Sequence, residues 1–247
     1  MTIRGAGRPR LQCRPMTRAR TIKRVGVIEG RPGQLPRSKG GSDRSSVAPP
    51  RAAGRSASIT RKTKETAIEL VLNVDGSGRY DIQTGVPFLN HMLELFTRHG
   101  FFDLTIRASG DVEVDDHHTV EDIGLTLGQA FRQALGNKEG IRRFGEATVP
   151  LDEALISVVV DLSGRPFLAY DLKTRQTRIG GFDVELIHDF LLALVNENGM
   201  NLHVRMLAGR NPHHVIEATF KGMARALDLA TQRDPRVQGV LSTKGTL

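Results

Sequence analysis

Two short segments of this 247-residue chain carry the same pattern, His117-His118-x-x-Glu121 and His213-His214-x-x-Glu217, set 96 positions apart. On a helix, residues i and i+4 share a face, so His117 projects with Glu121 and His213 with Glu217. His118 and His214 point about 100° away around their helices, toward a second ion or another subunit. A further histidine precedes each motif at nearly equal spacing, His91 by 26 residues and His188 by 25. One histidine at a helix start is ordinarily structural. Six of the eight histidines falling on a twofold repeat is the pattern of a ligand set. Imidazole with carboxylate suits Mn, Fe or Zn better than Ca or Mg. Repeated ligands imply two metals in one site or two related sites, and the spacing alone also fits a di-metal phosphoester hydrolase that clamps an in-line displacement. Cys13 is the only cysteine and lies far upstream, so a metal in the folded part must use His and carboxylate, and no disulfide or cysteine nucleophile is available there.

The elements that must position these residues follow from the apolar spacing. Residues 59 to 73 read as one extended segment, and Asp75-Gly76-Ser77-Gly78 as the turn of a hairpin into Tyr80 to Thr84. Pro87 can open a helix, along which Leu89, Met92, Leu93 and Phe96 have helical spacing until Gly100 closes it. Phe102, Leu104 and Ile106 alternate as a strand. After the acidic loop Asp111 to Asp116, His117 to about Leu135 is helical, with Ile123, Leu127, Phe131 and Leu135 on one face. The second half repeats the order. Ala154, Ile156, Val158 and Val160 alternate, Ser163-Gly164 turns, and Phe167 to Leu172 forms the partner strand. Val184 to Val195 is a helix, Leu202 to Met206 a strand and His213 to about Leu229 a helix. The chain is therefore expected to be α+β, with internally duplicated half-domains of strand-strand-helix-strand-helix order at about 56–147 and 148–247. Their antiparallel sheets would pack on a central layer of helices.

Residues 1–55 are different in kind. They hold 14 Lys and Arg against Glu29 and Asp43, a net +12, whereas residues 56–247 hold 21 Lys and Arg against 25 Asp and Glu, a net −4. The pI near 10.1 thus belongs to the tail. A segment rich in Arg, Gly, Pro and Ser with little apolar periodicity cannot offset its ordering entropy, so it reads as a disordered extension. It could be an organellar transit peptide, a nucleic-acid-binding arm, or upstream sequence carried along by a start codon placed too early. No aromatic residue interleaves the arginines, which argues against nucleic acid as a partner. Met16 and the lack of an amphipathic stripe argue against a transit peptide. No apolar run approaches 18 residues, so the expectation is a soluble cytoplasmic protein with no membrane segment, organellar only if the extension is a transit peptide.

Several blocks add what spacing cannot. They are Arg61-x-Thr63-x-Glu65-Thr66, Gly85-Val86-Pro87-Phe88-Leu89-x-His91-Met92-Leu93, Val114-Asp115-Asp116-His117-His118-Thr119-x-Glu121-Asp122, Asp161-Leu162-Ser163-Gly164-Arg165-Pro166, His213-His214-x-x-Glu217-Ala218-x-Phe220-Lys221 and Ser242-Thr243-Lys244-Gly245. In this order, over roughly 57–247, the chain resembles the imidazoleglycerol-phosphate dehydratase family. Asn90 departs from the aspartate common there, and a change in the orientation of the neighbouring ligand is the expected consequence. The resemblance implies a hydro-lyase, a carbon-oxygen lyase of histidine biosynthesis that converts D-erythro-imidazole glycerol phosphate to imidazole acetol phosphate and water. It implies two Mn2+ ions held by His91, His117, His118, Glu121, His188, His213, His214 and Glu217, with Glu65 at the substrate as candidate proton carrier. It further implies that Arg143, Arg165, Ser242 and Lys244, with Lys221, hold the substrate phosphate, and that trimers assemble into a homo-oligomer of 24 subunits with sites between subunits. In this chemistry the C–H bond to be broken is not next to a carbonyl, so the imidazole ring must take the charge, and metal ions on its nitrogens would help as Lewis acids. A metal-bound water competes with Glu65 as base, and His99, His203 and Lys221 are possible acids.

Overall fold

Alternate side chains of Thr66–Asn73 turn inward, with Ile68, Leu70 and Leu72 fully buried, which is the period of a strand covered on one face. The computed structural model describes residues 54–247. The first half comprises β1 (Ser56–Lys62), β2 (Thr66–Asn73), β3 (Tyr80–Gln83), α1 (Pro87–Gly100), β4 (Asp103–Gly110) and α2 (His117–Leu135). The second comprises β5 (Phe144–Leu151), β6 (Ala154–Asp161), β7 (Phe167–Asp171), α3 (Leu186–Asn198), β10 (Asn201–Ala208) and α4 (Pro212–Thr231), with a small hairpin of β8 (Arg178–Ile179) and β9 (Phe182–Asp183) before α3. The sheets have the orders β1-β2-β4-β3 and β5-β6-β10-β7. Helix α2 packs on β1, β2 and α3, while α4 packs on β5, β6 and α1, so the helices form the layer between two sheets, in the expected α+β arrangement.

The strands depart from the expectation in three ways. Residues 59–73 are two strands, because Thr63 Oγ1 accepts the N–H groups of Glu65 at 3.1 Å and Thr66 at 2.9 Å and so builds a turn that contains neither Gly nor Pro. The glycine-rich turn at 75–78 does not make a hairpin. The N–H groups of Ser77 and Arg79 donate to Asp103 Oδ1 at 2.8 and 3.0 Å, which carries the chain past β4 to its far edge. There β3 pairs with β4 in parallel, as β7 does with β10, so each sheet has three antiparallel strands and a parallel edge strand. Each four-stranded sheet has one more strand than expected, the second half adds the β8–β9 hairpin, and β5 straddles the boundary placed at 147/148.

Close helix packing explains two glycines of α2. A Cβ on Gly124 would lie 2.6 Å from the Phe190 carbonyl oxygen, and one on Gly128 would lie 2.7 Å from the Leu194 carbonyl oxygen, so the Gly-x-x-x-Gly stripe admits the backbone of α3. Gly100 does not end α1 through a left-handed conformation, which falls to Phe101 at φ 56°. A Cβ on Gly100 would strike the Phe102 ring at 2.4 Å. The basic extension lies, apart from Gly54 and Arg55, outside the described residues. Arg55 belongs to the folded part, donating to both Asp75 carboxylate oxygens and to the Thr231 carbonyl. No helix among the described residues is long and apolar enough to cross a membrane.

Candidate functional site

Helix α1 begins at Pro87, whose fixed φ suits the first helical position, and the turn before it is stapled by Asn90, whose Oδ1 accepts from Thr84 N and Oγ1 at 2.9 and 2.7 Å. Asn90 therefore acts on the strand-to-helix turn, and the expected effect on the orientation of His91 is not what its contacts serve. Helix α4 begins with Pro212 behind the Asn211 cap, whose Oδ1 accepts His213 N–H at 3.0 Å. Packing α1 on α4 brings His91, of the first half, to His213 and Glu217, of the second. Glu217 Oε2 lies 3.1 Å from His213 Nε2 and 3.6 Å from His91 Nε2, and one donor atom from each of the three lies within 4.8 Å of the others. Two imidazoles and a carboxylate converging this closely are chemically suited to a first-row divalent ion. Phe88 braces the His213 ring edge-on at 5.4 Å between centroids.

The duplicate set is built from α2 and α3. His117 Nε2 is 3.8 Å from Glu121 Oε2, and the Nδ1 atoms of His117 and His188 face Asp189 at 3.6 and 3.4 Å. Here an extra carboxylate stands between the two histidines. Tyr170 sits edge-on to His188 at 5.2 Å, and burial, followed by the charge of Asp189, pushes its hydroxyl up to about 12, so it stays protonated.

His118 and His214 turn away from the faces that carry His117 with Glu121 and His213 with Glu217, as the 100° offset requires, and each meets a carboxylate. His118 Nδ1–H donates to Asp111 with 3.2 and 3.1 Å to its two oxygens, and His214 Nδ1–H donates to Glu153 Oε2 at 2.8 Å. These hydrogen bonds are the main cause by which both imidazoles are raised above the ordinary histidine range. Glu153 is correspondingly held down to about 2, first by His214 and then by the N–H of Asn211.

The expected phosphate ligands separate into two places. Arg143, Arg165, Ser242 and Lys244 line one cavity of about 750 Å³, together with Arg236 and the 237–247 segment. The guanidinium of Arg143 donates Nε–H and one Nη2–H to Asp161 at 2.7 and 3.1 Å and one Nη1–H to the Leu241 carbonyl at 2.7 Å, which leaves one N–H on each terminal nitrogen for an anion. Lys221 lies elsewhere. Its Nζ donates to Glu217 Oε1 at 2.6 Å beside the α1/α4 cluster. Burial works to raise the Glu217 carboxyl, but Lys221, with His213 after it, holds it below its ordinary range. Glu65 is exposed at the β1–β2 turn in a different hollow, with Asp111. None of the eight histidines and glutamates expected to hold metal lines the Arg143 cavity. His99 is lowered by burial and by the charges of Lys221 and Arg225, while His203 lies exposed on β10 against Phe167, away from either cluster.

Reading the sequence missed Asp111, Glu153, Asp161 and Asp189, which hold the rings and the guanidinium. Asp161 had a signal, since it opens the Asp161-to-Pro166 block, and Glu153 had another. Glu153 immediately precedes β6 as Glu65 immediately precedes β2. Part of the Arg61-to-Thr66 block proves structural, since Arg61 pairs with Asp122 of α2 at 2.9 Å and Thr66 Oγ1 donates to the same carboxylate.

Fold and site together define a class of duplicated α+β proteins in which two half-domains each contribute a His-His-x-x-Glu helix. A family profile described as imidazoleglycerol-phosphate dehydratase matches residues 84–227. Imidazoleglycerol-phosphate dehydratases of Pelobacter propionicus and Geobacter sulfurreducens are 57% and 58% identical over 193 residues, covering 78% of this chain and 99% of each relative. The crystal structure of the Staphylococcus aureus dehydratase superposes with a TM-score of 0.67 at 38% identity, over 72% of this chain and 99% of that one. That of the Pyrococcus furiosus protein, in complex with (S)-C348, gives the same TM-score and identity over 76% and 100%. The chain belongs to the imidazoleglycerol-phosphate dehydratase family, the hydro-lyases that carry out this dehydration in histidine biosynthesis.

Proposed function

We propose that the dehydration is metal-dependent and uses two manganese ions, held by His91, His117, His118, Glu121, His188, His213, His214 and Glu217. The observation that supports this reading is the convergence of His91 with His213 and Glu217 from opposite halves of the duplication. Bound divalent ions supply Lewis acidity toward the substrate's imidazole. The chain's own groups do the rest. Arg143 and Arg165 present N–H donors to the phosphate in a planar fork, and Ser242 and Lys244 add donors around it, while Lys221 stands apart on Glu217. The Asp161 carboxylate fixes the direction of the Arg143 fork. Glu65 takes the proton from the side-chain carbon bearing the second hydroxyl, the hydroxyl on the ring-bearing carbon leaves with a proton as water, and the resulting enol becomes the ketone while phosphate is retained.

The Arg143 cavity lies apart from the hollow shared by Glu65 and Asp111, beside His118, which supports a site completed by neighbouring copies; the assembly into a 24-subunit particle from trimers is what membership of the family implies. The test incubates manganese-loaded and metal-stripped protein with imidazole glycerol phosphate and follows ketone and free phosphate together. Metal-dependent ketone without phosphate supports the proposal. Phosphate release would assign a di-metal phosphoester hydrolase instead, and ketone formed equally by stripped protein would overturn the metal dependence.

A further inference from the structure

The duplication allows the two halves to be compared residue by residue around the outward-facing histidines. Glu65 is the last residue of the β1–β2 turn and Glu153 the last residue of the β5–β6 turn, so the two carboxylates are counterparts. Their surroundings differ. Glu153 Oε2 receives His214 Nδ1–H at 2.8 Å, and Oε1 receives the N–H groups of Asn211 at 2.8 Å and Arg210 at 3.2 Å. Both oxygens are committed, and Glu153 is anchored to the backbone that leads into α4. Around Glu65 the described residues place only backbone bonds, with its N–H on Thr63 Oγ1 and its carbonyl accepting Asp111 N–H at 3.2 Å. The ring of His118 is held instead by Asp111, at the start of the loop between β4 and α2.

An imidazole that donates Nδ1–H to a carboxylate has its lone pair on Nε2, and the carboxylate also fixes the direction of the ring. From this geometry we infer that Glu153 is a positioning residue that sets His214 to offer Nε2 to a metal ion, as Asp111 does for His118. The divergence of the two halves thereby leaves Glu65 free to work on substrate. Glu153 is tied by its hydrogen bonds to the His214 ring and to the backbone before α4, which holds it in place at that ring. The inference rests on the metal-dependent reading, so its test must separate the two.

The experiment titrates the full-length, metal-stripped chain with Mn2+ and follows the free ion by electron paramagnetic resonance, with far-UV circular dichroism recorded for every variant. Glu153→Gln and Glu153→Ala are expected to weaken manganese binding about 10- to 100-fold. The double variant Glu153→Gln/His214→Gln is expected to bind within about twofold of His214→Gln alone, because the two residues act through one ring. Glu65→Gln keeps full affinity. Glu153→Gln retains an acceptor oxygen for the Arg210 and Asn211 N–H groups, which keeps the test open if Glu153→Ala fails to fold. Unchanged affinity in both Glu153 variants, or additive losses in the double variant, would overturn the inference. Loss of affinity in Glu65→Gln would overturn the division of labour. If His214→Gln itself binds manganese normally, it is the metal reading of that histidine that fails.

Discussion

The α1/α4 and α2/α3 clusters carry the same residue types on the same elements, yet only the first is drawn together around a single point. His91, His213 and Glu217 converge within 4.8 Å, whereas the two imidazoles of the second cluster face Asp189. The difference traces to one position. Asp189 follows His188 where the buried Met92 follows His91, so one half has a carboxylate where the other has a core side chain. Duplication copied the histidines and glutamates, and divergence of their neighbours made the copies unequal. The same holds for Glu65 and Glu153, alike in position and opposite in commitment.

The largest effect should come from the converged cluster. His213→Ala is expected to abolish turnover and lower the manganese bound per chain, read by product formation and metal analysis, and His117→Ala to do the same through the second cluster. A variant retaining full activity and particle size would remove its histidine from the ligand set. Glu65→Gln should lower kcat by about 10²- to 10⁴-fold, the usual range for a lost proton carrier. A kcat near that of the parent chain would move the proton to another group. Next comes the helix contact. Gly124→Val pushes a side chain into the Phe190 carbonyl and should cost about 1–3 kcal/mol, seen as a lower Tm, with manganese lost from the α2/α3 cluster and kept by α1/α4.

A smaller contrast concerns the first residues of β4 and β10. Asp103 accepts the Arg79 guanidinium and the N–H groups of Ser77 and Arg79, and these hold its carboxyl well below the usual range, the Arg79 side chain most of all. A carboxyl depressed in the folded state contributes stability that is full above the unfolded value and lost as pH falls from about 4 toward the folded value. Asn201, its counterpart, donates Nδ2–H to the Arg165 carbonyl and has no such dependence. Asp103→Asn should therefore cost about 1 kcal/mol at neutral pH and flatten the acid limb of stability, while Asn201→Ala leaves that limb unchanged. The smallest effect belongs to Asn90→Asp. An aspartate accepts the same two Thr84 donors, so stability should move by less than about 0.5 kcal/mol and manganese affinity should not move. A shift in affinity would show that this residue reaches His91 after all.

The order of the four helices and the duplication were legible in the chain, because apolar periodicity and paired histidines are local patterns. The ligand pairs on α2 and α4 were legible for the same reason, since a helix places i and i+4 together whatever surrounds it. The third histidine of each set was visible only as a spacing. Strand pairing was less legible. Thr63 made a turn without Gly or Pro, and the glycines at 76 and 78 led to a crossover, which depends on Asp103 far along the chain.

What the sequence determined by itself is the family, the duplicated α+β plan and the residue types able to hold a metal and a phosphate, since each is written in short stretches or in their repetition. Only the tertiary structure decided which half supplies the third histidine to which cluster, which carboxylate holds which ring, and that Lys221 stands with Glu217 rather than with Arg143. Those outcomes depend on helix packing and loop paths that join residues far apart in the chain, and a contact of that kind leaves no periodic trace in the order of amino acids.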